Sequence, residues 1–76
     1  MNSELIISNE AQNDFSTIHL YFNEQMHSWI AYGRSAYSLR LITKKRFIDS
    51  IRGFSATMQM PYVVVNKDLL KRLHSD

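Results

Sequence analysis

Cysteine is absent from this chain of 76 residues, and with it go disulfides and the zinc frameworks built on cysteine pairs. Glycine is scarce, with 2 residues, and proline scarcer, with 1. No Pro/Gly/Ser-rich linker divides the chain, no low-complexity tract occurs, and no repeated sequence is visible, so residues 1–76 read as a single domain. Gly33 and Gly53 stand alone, which excludes a glycine-rich dinucleotide fingerprint and a P-loop. Long apolar runs are missing too: the longest are of the kind Tyr62-Val63-Val64-Val65, whereas a membrane span needs about 20 residues. No basic start followed by an apolar run marks a signal peptide. These features predict a soluble, cytoplasmic domain with no membrane partner.

What remains can build a core, since 45% of residues are apolar, including 4 Phe, 4 Tyr and 1 Trp. A domain this short buries only about 60% of the surface its unfolded chain exposes. Self-association as a homodimer would add to that thin margin. Net charge is +2, but unevenly spread: residues 1–42 carry two cations against four carboxylates, and residues 43–76 carry seven against three. That asymmetry points the second half toward an anionic partner.

Residues 4–8 form a short apolar run that reads as a strand, followed by a polar loop. In residues 16–22, Ile18, Leu20 and Phe22 alternate with Thr17, His19 and Tyr21, the period of a half-buried strand. A turn at residues 23–25 would send the chain back as a second strand over residues 28–33. The competing pattern is a single helix, because Phe15, Ile18, Phe22, Met26 and Trp29 recur at spacings of three and four. The β-branched and aromatic content favours the hairpin. Beyond Gly33, Ser35 is a candidate N-cap for a helix placing Tyr37, Leu41, Ile48 and Ile51 on one face and ending at Gly53. Residues 54–60 read as loop and residues 61–65 as a strand. Asn66 then caps a final helix buried through Leu69, Leu70 and Leu73. The expected fold is α+β, a small, mostly antiparallel sheet in the order β-β-β-α-β-α with helices packed on one face.

Catalytic signatures are weak. No serine lies in a nucleophile elbow, and His19 and His27 flanking a turn are better explained as exposed strand positions than as a ribonuclease pair. Glu24 and His27 have the spacing of one half of a di-metal site, with no second half. The expectation is therefore a non-enzymatic binding or interaction module without a cofactor or metal, whose partner is a protein or a second copy of itself. Trp29 is assigned to the core, and Tyr21 and Tyr32 to the partner interface. The alternative is a nucleic-acid-binding domain using the basic cluster Lys44, Lys45, Arg46 and Arg52, beside Phe47. If that stretch is helical throughout, Lys45 and Arg52 share a face.

Overall fold

The computed structural model describes residues 3–74. Helix α1 (Ser3–Gln12) leads into an irregular segment and the hairpin β1 (Tyr21–Asn23) and β2 (Ser28–Tyr32). Helix α2 (Gly33–Lys45) follows, then the hairpin β3 (Ile51–Ser55) and β4 (Met60–Val65), and last helix α3 (Lys67–His74). The four strands form one antiparallel sheet in the order β1-β2-β4-β3. This is the expected α+β class with an antiparallel sheet and helices packed against it. Among the described residues, no helix is long and apolar enough to cross a membrane.

Strand alternation divides the core in two. Ala31, Val63 and Val65 point to one side of the sheet, where Ala36 and Leu39 of α2 and Leu69 of α3 complete a buried cluster. Ile30, Tyr32 and Val64 point to the other side and are joined by Ile6 of α1 and by Met58. The two helices anticipated from the sequence thus lie on one face, and α1 supplies the cover for the opposite one.

Several local expectations are corrected. Residues 4–8 are helical rather than extended. A short apolar run has no period of its own; one helical turn puts Ile6 and Glu10, four residues apart, on the inner side and leaves Ser8, which a strand would bury beside them, exposed. The hairpin reading of residues 16–33 holds against the single helix, with Phe22 opposite Trp29 and Asn23 opposite Ser28, but its first strand begins only at Tyr21. Gly53 does not end a helix. It lies in β3, where the ring of Tyr62 crosses it so closely that an added Cβ would meet the hydroxyl at 2.6 Å. Ile51 and Arg52 are likewise strand residues, and residues 56–59 form the tight turn of a second hairpin. Asn66 does cap α3: its carboxamide oxygen accepts from the Leu69 amide at 2.9 Å.

Although no repeat is visible in the sequence, the fold contains one. Adding 32 to each number of the first ladder gives the second: Tyr21↔Ile30 becomes Gly53↔Tyr62, Phe22↔Trp29 becomes Phe54↔Pro61, and Asn23↔Ser28 becomes Ser55↔Met60. The central ladder obeys the same rule, since Ile30↔Val64 maps onto Tyr62↔Tyr32 and Ala31↔Val63 maps onto itself. A pseudo-twofold axis therefore passes through the Ala31–Val63 pair. Both turns are built alike. Asn23 Oδ1 accepts from the Met26 amide as Ser55 Oγ accepts from the Met58 amide, and the last turn residues, His27 and Gln59, both have positive φ.

Candidate nucleic-acid interface

Helix α2 carries Arg34, Arg40, Lys44 and Lys45 and no carboxylate. The gap is wider than the helix: between Glu24 and Asp49 the sequence has five cations, the fifth being Arg46, and no acid. Dividing the charge count at residue 42 hides this, because Arg34 and Arg40 then fall in the acidic half. Lys44 and Lys45 in the last turn complement the helix dipole, which accounts for a cation there but not for Arg40 or Arg52.

Ser35, Ala36, Leu39 and Thr43 are the buried side of α2. The opposite side presents Tyr37, Arg40, Leu41 and Lys44, at the spacing that brings residues onto one stripe of a helix. Tyr37, Arg40, Leu41 and Lys44 line an open depression of about 300 Å³ with Pro61 of β4. Lys44 also lines a neighbouring depression of about 340 Å³ with Phe47, Asp49 and Arg52. Lys44 lines both, so the two depressions adjoin along α2 and make up the surface between that helix and the β4–β3 side of the sheet, the α2–β3 groove. Phe54 stands opposite Pro61 on the same side of the sheet and is exposed.

Phe47 is the most unusual residue of this surface. It is 95% exposed and held at φ 57°. The end of α2 explains the backbone: the Ile48 amide donates to the Thr43 carbonyl at 2.8 Å and the Phe47 amide to the Lys44 carbonyl at 3.2 Å. This is a Schellman closure with phenylalanine at the left-handed position that glycine ordinarily takes. A non-glycine residue there costs about 1–2 kcal/mol, and the ring recovers none of it through burial.

The four basic residues anticipated from the sequence divide. Lys44 and Arg52 come together, but through a helix and a strand rather than along one helix. Lys45, one position round from Lys44, lies off the Arg40–Lys44 stripe and does not share a face with Arg52. Arg46 is committed to the fold: its guanidinium donates to the carbonyls of Leu73 at 2.8 Å and Arg72 at 3.0 Å, closing the C-terminal end of α3. Among the described residues the single ion pair is Arg72–Asp68, so Arg40, Lys44, Lys45 and Arg52 have no carboxylate partner.

The two tyrosines assigned to a partner interface are not exposed. Tyr32 is 4% exposed in the core, and the half-buried Tyr21 donates its hydroxyl to Glu10 Oε2 at 2.7 Å. Trp29, expected inside, is 46% exposed and meets Phe22 edge to face at 5.3 Å. The reason is positional, because α2 and α3 cover the centre of β2 and β4 and leave the turn end of the first hairpin uncovered. Phe22 and Trp29 line a second open groove with Lys67, Asp68 and Leu70. Under the pseudo-twofold, Phe22 corresponds to Phe54, so this groove is the counterpart of the one beside α2.

Glu10 is 2% exposed and accepts from Ser35 N at 2.8 Å, Ser35 Oγ at 2.9 Å, Tyr21 Oη and Asn13 Nδ2. Tyr32, the N-cap residue of α2, makes no side-chain cap, and the Glu10 carboxylate from α1 takes that place. Every oxygen of this buried group is satisfied by the protein, so it is a structural clamp. His27 is exposed in the first turn, and no group of three or more His, Cys, Asp or Glu residues capable of holding a metal occurs among the described residues.

Comparison with known proteins adds no relative: the chain matches no family model, no curated protein and no solved structure.

Proposed function

We propose that the protein is a non-enzymatic, cytoplasmic binding module whose ligand is nucleic acid, held in the groove between α2 and β3. The observation that carries this reading is the set Arg40, Lys44 and Arg52, three cations without carboxylate partners, interleaved with exposed Tyr37, Leu41, Phe47 and Phe54. Cations left unpaired in the fold are available to displace counterions from a phosphate backbone. Rings set among them are the usual companions of such cations in nucleic-acid binders. Asp49, the one carboxylate lining the groove, forms no ion pair among the described residues.

The test is a salt titration of binding to a mixed oligonucleotide pool. Affinity should fall linearly on logarithmic axes, and replacing Arg40, Lys44 and Arg52 by Ala should reduce the slope by about 2 to 3. No retention at about 50 mM salt would remove the proposal.

A second reading, self-association, is favoured by one observation: the Phe22–Trp29 pair is exposed beside β1, a three-residue edge strand. It predicts a sedimentation coefficient that rises with concentration in the parent chain and not in Trp29→Ser. A strict monomer would exclude it.

A further inference from the structure

Building on the nucleic-acid reading of the α2–β3 groove, we infer that this groove takes a single strand. Unpaired bases stack on Phe47 and Tyr37 while the phosphates pass Arg40, Lys44 and Arg52.

The first reason is the ring of Phe47. At 95% exposure it contributes nothing to either buried cluster, and it occupies a backbone position at which phenylalanine is strained. Its flat face is available to a ligand without any rearrangement. A base offers a matching face only when unpaired, because in a duplex both faces are covered by neighbouring base pairs.

The second reason is how the groove alternates. Arg40 and Lys44 share one stripe of α2 with Tyr37 and Leu41, and on β3 Arg52 is followed two residues later by Phe54 on the same side of the sheet. A duplex laid here would press its charged, hydrated backbone against Leu41, Tyr37 and Phe54. A single strand separates its two chemistries, so phosphates meet the cations and bases meet the rings. The related groove beside α3 supplies the internal contrast: it has rings in Phe22 and Trp29 but a single cation in its lining, Lys67, and so offers no row of cations for successive phosphates.

The experiment is fluorescence anisotropy on the full chain with a labelled strand of about 12 nucleotides, alone and annealed to its complement, in DNA and RNA forms. The strand should bind at least about ten-fold more tightly than the duplex in either sugar form. Phe47→Ala should weaken strand binding by about 5- to 100-fold with the salt slope unchanged, because it removes a stack and no phosphate contact. Phe47→Trp should restore it. Because the ring is exposed, these variants fold, which circular dichroism verifies. Duplex binding as tight as strand binding, or a Phe47→Ala variant with parental strand affinity, would overturn the single-strand inference and leave the broader proposal standing. Failure to retain either form at about 50 mM salt would overturn both.

Discussion

The two hairpin–helix units share a strand register and a turn design, yet they are stabilised differently and present different surfaces. In the first unit, α2 has 13 residues and is clamped at its N-terminus by a carboxylate from another helix. In the second, α3 has 8 residues, is capped locally by Asn66 and is closed at its far end by Arg46. The equivalent turn methionines diverge in the same way, with Met26 48% exposed and Met58 7%, because α1 covers one end of the sheet and not the other. Pseudo-symmetry in the backbone therefore does not carry over to the side chains: the α2 side sets three unpaired cations, Arg40, Lys44 and Arg52, among its rings, and the groove beside α3 has one, Lys67.

The sharpest break of this comparison is at Glu10. Glu10→Ala strands the Ser35 amide, the Ser35 hydroxyl and the Tyr21 hydroxyl, and should lower stability by about 2–4 kcal/mol in denaturant unfolding. Asn66→Ala, the corresponding lesion in the second unit, should lose about 1 kcal/mol. Equal losses would mean that the long-range clamp is no stronger than a local cap. Phe47→Gly should raise stability by about 0.5–1 kcal/mol, seen as a higher midpoint in thermal unfolding, while abolishing the stacking contribution to strand binding. A drop in midpoint would show that the exposed ring serves the fold.

The smallest effect is a titration. Burial and the hydrogen bond to Glu10 push the Tyr21 phenol up from 10.0 to about 12. A phenol whose folded value is raised contributes stability that is whole below pH 10 and is lost as pH climbs toward about 12. Ultraviolet titration of the phenolates should show late ionisation from Tyr21 and from Tyr32, whose burial also raises it, and Tyr21→Phe should remove one of these two late steps. Ionisation of Tyr21 near pH 10 would contradict the clamp geometry.

Where sequence reasoning succeeded, a local signal agreed with the tertiary outcome. The run Tyr62 to Val65 and the Asn66 cap with Leu69 behind it are decided within a few residues of chain. The hairpin at Phe22 and Trp29 was favoured by its β-branched and aromatic content. The first helix was not legible, because the reason for Ile6 and Glu10 to share a face is the N-terminus of α2, 25 residues away in the Glu10–Ser35 bond. The second hairpin was hidden because its turn contains neither glycine nor proline, and its positive φ falls on Gln59. Of the clustered cations, Lys44 and Arg52 do line one depression. Arg46 instead holds the backbone carbonyls of Arg72 and Leu73, partners that leave no mark on sequence. The exposure of Phe47 and the nearness of Arg40 to Lys44 were not read from sequence, although the acid-free stretch from residue 25 to residue 48 was there to be read.

The most direct test is a map of backbone amide shifts in isotopically labelled protein as a short single strand is added. Binding through the α2–β3 groove should move the amides of residues 37–54 and leave those of Phe22, Trp29 and Leu70 in place. Shifts centred on Phe22, Trp29 and Leu70, or none at any strand concentration, would contradict it.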